Sequence, residues 1–315
     1  MTQYWTCGND PIMTSLSEHI DLESRVGVNK IKEGGKTLLV YNNTPFRKWN
    51  HELWKHYKTK GWPCYCVERS SLPNMAMIDK NGMLAESSSY DECNWNHEIS
   101  IDRATDTLNY IQSITQSDTS LERQQSGRLT RDEFWDKIKR DPSKYDTIVF
   151  VPLQKEADTT IRFWADWIES VDKFVSTIYY LSTERRNILF LIKPHPLSQN
   201  KSYPDSQNVV NVNGLHYKDC IQECDKVYVI NSGVGLQALM WQKPVYTFGL
   251  SHYQFSGMGR KVNNSLQALE YVDEKRFFDY DKMLRYIAYL KFTLWSDVDL
   301  SKGAKQCKWL NVRMN

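Results

Sequence analysis

The sequence predicts an α/β protein made of two blocks, each a parallel sheet with helices on both faces. Short apolar runs alternate with longer stretches of helical period, and this alternation occurs on both sides of Leu153. Length agrees, because 315 residues at about 100–200 per domain favour two domains.

Taken in order, residues 1–35 are polar and show no sustained period, and the first buried strand is expected at residues 36–41 (KTLLVY), stopped by Asn42-Asn43-Thr44-Pro45. Residues 49–60 place Trp49, Leu53, Trp54 and Tyr57 on one helical face, ended by Gly61 and Pro63. Strands follow at residues 64–67 and 75–79, the second closed by the turn Lys80-Asn81-Gly82. Residues 114–127 turn to Ser, Thr, Gln and Asp and read as an exposed connection. A short amphipathic helix is expected at 132–140 and a central strand at 146–153 (DTIVFVPL). Beyond it, residues 161–181 carry apolar side chains three and four apart and predict one long helix. Strands at 187–192, 208–212, 226–230 and 244–248 and a helix at 236–241 complete the second block, and residues 275–294 read as a closing helix bearing Phe277, Met283, Leu284, Ile287 and Leu290. No internal repeat is present.

Composition narrows the functional classes. A hydrophobic share of 41% with 25% charged residues excludes wholesale disorder and fibrous character. The 40 basic and 38 acidic residues leave +2, which argues against a pervasive basic field of the kind that grips nucleic acid. Seven cysteines lie scattered without CxxC pairs, so no zinc site is expected. The start of the chain lacks a basic region followed by an apolar run, and no stretch reaches the roughly 18 apolar residues of a membrane span. The expectation is a reduced, soluble, cytoplasmic protein without a transmembrane segment or a resident metal. The 11 Trp and 18 Tyr are assigned to core and interdomain packing before stacking on sugars or bases.

Ligands of open α/β sheets bind beyond the carboxyl ends of the strands, so the residues after each strand are the candidates. After Ile192 comes Lys193-Pro194-His195-Pro196, where two prolines fix the backbone and aim a cation and an imidazole away from the strand; a rigid turn with a structural histidine is the plainer alternative. After Ile230 comes Asn231-Ser232-Gly233-Val234-Gly235, where Ser232 is placed to cap a helix whose free amides attract phosphate. It lacks a Walker lysine and the full GxGxxG spacing, so a capped packing helix is the alternative. After Leu153 comes Gln154-Lys155-Glu156-Ala157-Asp158, whose last carboxylate stands where an acid, base or nucleophile could point into a cleft, although taken alone Asp158 reads first as the cap of the helix starting near Thr160. The fourth place is Glu68-Arg69 with Asp79 and Ser87-Ser88-Ser89 downstream, an ordinary ion pair and polar loop on the plainer reading.

The order of FVPLQ…D, KPHP, NSGVGLQAL and KPVYTFG, preceded by VERSSLPNMAMIDKNGMLAESSSY, resembles the capsule polysaccharide biosynthesis proteins, which include transferases of 3-deoxy-manno-octulosonic acid (Kdo). The resemblance is firmest over residues 147–249, moderate over 62–90 and weak elsewhere. It implies the GT-B fold, two Rossmann-like domains facing a cleft. Residues 1–153 would form an acceptor-side domain and 154–274 a nucleotide-sugar donor domain, with 275–315 as C-terminal helices packing back on the first. It also implies a metal-independent glycosyltransferase with no cofactor beyond its donor, and a CMP-linked, Kdo-like acidic sugar leads the donor list. On this basis Lys193 and His195 would meet the donor phosphate with Asn231, Ser232 and the Gly233 backbone; Asp158 would be the catalytic carboxylate; Gln154, Glu68 and Arg69 would contact substrate. Gln237 departs from the family's usual Glu, and a neutral amide with one acceptor oxygen should hold ribose hydroxyls less strongly. Two alternatives stand beside this reading: a phage-type transferase acting on modified bases in DNA, and a catalytically silent nucleotide-binding protein.

Overall fold

The structure is a computed structural model that describes residues 3–7, 10–41, 48–118, 127–198, 203–274, 278–302 and 306–314, except the side chains of residues 48 and 49. It divides into two compact units, Met1–Thr107 with Arg285–Asn315, and Leu108–Leu284. The expected stop at Asn42-Asn43-Thr44-Pro45, the Trp49 side chain, most of the polar connection before Gly127 and the start of the closing helix through Phe277 lie outside the described residues.

The first unit runs β1 (Tyr4–Trp5), α1 (Pro11–Leu16), β2 (Leu22–Glu23), α2 (Val28–Glu33), β3 (Thr37–Tyr41), α3 (Lys48–Lys60), β4 (Cys64–Arg69) and β5 (Met75–Asp79), and leaves through α4 (Ile101–Gln116). The second contains α5 (Arg131–Ile138), β6 (Thr147–Pro152), α6 (Thr159–Trp164), α7 (Val171–Glu184), β7 (Ile188–Lys193), β8 (Val209–Asn211), α8 (Tyr217–Glu223), β9 (Lys226–Val229), α9 (Gly233–Met240), β10 (Val245–Thr247), β11 (Gly259–Lys261) and α10 (Ser265–Val272). Helix α11 (Tyr280–Tyr289) returns the chain to the first unit, where one π-helical turn precedes β12 (Trp295–Asp299) and β13 (Lys308–Trp309).

In the first unit, β2, β1, β3 and β4 are parallel neighbours, and β5, β12 and β13 continue the sheet antiparallel. The reversal at β5 comes from a tight turn in which the Ser70 hydroxyl donates to the Leu72 carbonyl and Asn74 takes a positive φ of 55°. The polar first 35 residues hold two strands of two residues each, too short to show a period. The C-terminal segment supplies strands to this sheet, Trp295 lying opposite Met77, and not helices alone.

The second unit's sheet is wholly parallel, in the order β11-β10-β9-β6-β7-β8. Every residue of β7 and β9 is buried, as expected for strands covered on both faces. One face, with Val149, Val151, Phe190, Ile192 and Tyr228, packs against Phe174, Ile178 and Leu181 of α7 and Ala268 and Val272 of α10. Because β6 pairs with β7 and β9, it belongs to this sheet, and the domain boundary expected at Leu153 falls instead within α4, after Thr107.

The long helix expected at 161–181 is two helices. Asp166 and Glu169 adopt positive φ, 56° and 61°, and Ser170 then starts α7 by accepting the Lys173 N–H. Glu156 Oε2 accepts the Val171 N–H at 3.0 Å, binding the β6 loop to the new helix end. The carbonyl of Trp164, which would continue α6, accepts from the Leu250 N–H at 2.8 Å instead.

Candidate active site

The second unit's strand order reverses between β6 and β9, since the chain leaves β6 for β7 and β8 and returns to place β9 on the other side. That reversal is where an open α/β sheet admits a ligand, beyond the carboxyl ends of the two strands. Residues 153–158 follow β6, and residues 230–232 follow β9.

Two amides join these ends. Gln154 Nε2 donates to Asn231 Oδ1 at 2.9 Å and to Thr160 Oγ1 at 2.8 Å, while its Oε1 accepts the Asn231 N–H at 3.2 Å. Asn231 Nδ2 donates to the carbonyls of Thr160 at 2.9 Å and Trp164 at 3.0 Å. All the amide protons of both side chains are therefore used within the protein, and the pair fixes α6 against both strand ends. Gln154 and Asn231, expected to touch substrate and donor, serve here as framework.

Asp158 caps α6. Its Oδ1 accepts both the Thr160 N–H and the Thr160 hydroxyl, each at 3.0 Å. Among the described residues its Oδ2 accepts no hydrogen bond, and the side chain is half-buried. Capping therefore occupies one oxygen of the carboxylate and leaves the other without a bond among the described residues.

Ser232 caps α9, its Oγ accepting the Val234 N–H at 3.2 Å. The Gly235 N–H returns to the Ser232 carbonyl at 2.9 Å, which leaves the Gly233 N–H without an acceptor among the described residues. A first helical turn with a free amide and a serine hydroxyl is a site for anionic oxygen. Tyr253 sets the seat of this turn: its hydroxyl donates to the Ser232 carbonyl, and a Cβ at Gly235 would stand 2.5 Å from that hydroxyl. Gln237 is buried on α9, and its Oε1 accepts the Tyr217 hydroxyl at 2.7 Å. Its carbonyl oxygen is turned into the fold, toward Tyr217.

At the end of β7 the two expected phosphate ligands part. His195 is half-exposed, and its Nδ1 accepts the Leu197 N–H at 3.1 Å, which places the ring's proton on Nε2 in the neutral form. Lys193 is buried, donating to the carbonyls of Asn213 at 2.9 Å and Leu215 at 2.5 Å, and burial pushes its ammonium below the ordinary lysine value. Its task is to hold the loop that enters α8. Lys193→Met keeps the length and removes the donor, leaving the buried Leu215 carbonyl unsatisfied and freeing the Asn213 carbonyl, so a stability loss of about 2 kcal/mol is expected in denaturant unfolding. Nucleotide affinity of the folded variant should change little; a large loss of affinity with unchanged stability would return Lys193 to the phosphate.

Glu68 and Arg69 end β4 in the first unit, where Glu68 Oε1 accepts the Arg69 N–H at 3.0 Å. Asp79 is buried and accepts from the Ser87 hydroxyl at 2.6 Å, the Ser89 hydroxyl at 2.8 Å and the Asn81 N–H at 2.9 Å. These bonds make it the anchor of the polar loop.

Sequence reasoning missed Thr160, Tyr217 and Tyr253. Thr160 stands two residues after Asp158, the offset at which a cap's partner amide lies, and this was the available signal. Nothing local marks the two tyrosines, whose partners lie 20 and 21 residues away.

A family model described as capsule polysaccharide biosynthesis protein matches residues 95–292. Protein FixF of Sinorhizobium fredii (strain NBRC 101917 / NGR234) is 29% identical over 119 residues, 37% of this chain, and the match spans only 30% of FixF. Two solved structures of Thermosulfurimonas dismutans KpsC cover 98% of this chain and 95% of their own. The beta Kdo 2,4 transferase has a TM-score of 0.68 at 15% identity, and the beta Kdo 2,7 transferase 0.63 at 18%. At such identities the likeness is one of fold: two Rossmann-like units of the GT-B type.

Proposed function

Because the chain belongs to the family of capsule polysaccharide biosynthesis proteins, we propose that it is a glycosyltransferase moving a sugar from a nucleotide-activated donor to a hydroxyl of a glycan acceptor. The observation that carries this reading is the pairing, across the β6/β9 reversal, of a carboxylate oxygen left open on Asp158 with the open first turn of α9. One places negative charge beside a reacting carbon, and the other receives a leaving phosphate.

The donor class we assign is a CMP-linked, Kdo-like acidic sugar, supported by the family and by the likeness in fold to the two KpsC beta Kdo transferases. In the transfer, the bond from anomeric carbon to phosphate oxygen breaks, the acceptor oxygen bonds that carbon, and the acceptor hydroxyl's proton passes to the departing phosphate. Negative charge grows on the departing phosphate. The Gly233 N–H, the Ser232 hydroxyl and the His195 Nε2–H are the donors assigned to it, and the helix dipole adds about 0.3–1 kcal/mol. We propose that these groups suffice without a metal. The acceptor-side role of the first unit, with Glu68 and Arg69, belongs to the same proposal.

A thermal-shift screen against CMP, UDP and GDP tests the nucleotide, and CMP at 100 times its Kd adds about 2.7 kcal/mol of stability. CMP-Kdo hydrolysis above a protein-free blank tests the chemistry. His195→Ala should weaken CMP binding about tenfold by calorimetry, the worth of one charge-assisted hydrogen bond. Unchanged affinity in that variant would remove His195 from the site, and retention on duplex DNA with no response to CMP would overturn the glycan reading.

A further inference from the structure

The Thr160 hydroxyl sits between two groups that fix its polarity. Gln154 Nε2 can only donate to it, at 2.8 Å, so the hydroxyl's own proton is directed to Asp158 Oδ1, at 3.0 Å. Gln154 is itself held by Asn231, whose remaining donors grip the carbonyls of Thr160 and Trp164. A one-way chain therefore runs from the ends of two central strands through Thr160 to one oxygen of Asp158. With the Thr160 N–H on the same Oδ1, that oxygen carries two hydrogen bonds, and the carboxyl plane is set by contacts from one side.

We propose that Thr160 is a positioning residue for transfer: its hydroxyl, polarised by Gln154, fixes the rotation of the Asp158 carboxylate and so presents Oδ2 to the donor's anomeric carbon. This rests on the assignment of Asp158 to the chemistry. Helix capping alone does not require the hydroxyl, because the Thr160 N–H already satisfies the cap geometry. The second bond matters where a carboxylate must meet a reacting atom in one orientation, since a misplacement of about 1 Å can cost roughly a hundredfold in rate.

Thr160→Val removes the hydroxyl at nearly constant shape, and Thr160→Ser restores it. With CMP-Kdo as the probe, Thr160→Val is expected to lower kcat about tenfold to a hundredfold while KM for CMP-Kdo and the calorimetric affinity for CMP stay within about twofold. Thr160→Ser is expected to recover most of kcat. Melting temperatures of both variants and an Asp158→Ala control accompany the kinetics. Wild-type kcat in Thr160→Val beside an inactive Asp158→Ala would overturn the positioning role and leave the catalytic assignment standing. An active Asp158→Ala would overturn both. A fall in kcat that Thr160→Ser does not reverse, or that follows the melting temperature, would also sink the proposal, because either marks a packing effect.

Discussion

Asp158→Ala is expected to lose about a thousandfold or more in transfer from CMP-Kdo, and Asp158→Asn nearly as much, although the two variants should differ in stability. The Ala variant strips α6 of its cap, at a cost of about 1 kcal/mol. The Asn variant keeps an oxygen to accept from the Thr160 N–H, so its melting temperature should stay close to that of the native chain. An amide cannot supply the charge demanded of a nucleophile, a base or a stabiliser of a cationic sugar centre. The contrast is sharpened by the division of labour in the structure, where Oδ1 takes both Thr160 bonds and Oδ2 takes none among the described residues. Near-native turnover in Asp158→Asn with an intact melting temperature would reduce the residue to a cap, and Glu156 would be the next carboxylate to test. Glu156 is the weaker candidate, because its Oε2 already accepts the Val171 N–H.

Much of the second unit was legible because its strands are buried on both faces. Strands β6, β7, β9 and β10 therefore read as unbroken apolar runs, and their ends came within a residue or two. The break between α6 and α7 was not legible, because the apolar stripe stays in phase through Trp164, Ile168 and Val171 while the chain turns at Asp166 and Glu169. Periodicity reports which face is buried and is blind to who takes a helix's last carbonyl. Ser170, a good cap three residues before Lys173, was the overlooked signal.

The site shows the same limit at the level of side chains. A lysine at a strand end looks identical in sequence whether it meets a phosphate or main-chain carbonyls 20 and 22 residues on, and Lys193 proved to do the latter. Gln154 and Asn231 were singled out for lying at strand ends, and they do lie there. Their bonds to each other came only with the sheet order, which no local pattern encodes. The capping role of Asp158 was legible because it depends only on its place in the chain, just before a helix.

The glycine that closes KPVYTFG carries the largest stability prediction. Gly249 lies just beyond β10, where its backbone passes so near the end of α6 that a Cβ would stand 2.4 Å from the Trp164 carbonyl oxygen, 3.0 Å from Ile230 Cγ2 and 3.1 Å from Ala165 Cα. None of these can yield cheaply. The Trp164 oxygen is held by the Leu250 N–H at 2.8 Å and by Asn231 Nδ2 at 3.0 Å, and Ile230 lies in the packed core. Gly249→Ala must therefore displace backbone on one side and strain or break two hydrogen bonds on the other, for an expected loss of about 3 kcal/mol or more, read as a fall in Tm of roughly 6–12 °C. The displacement acts on α6, which Asp158 caps, and on Asn231, which joins α6 to the end of β9. Transfer should fall further than stability accounts for, with kcat reduced at temperatures where the variant is fully folded. A Gly249→Ala protein that melts within about a degree of the native one would show that the close approach is not made, and with it would go the account of why α6 ends at Trp164.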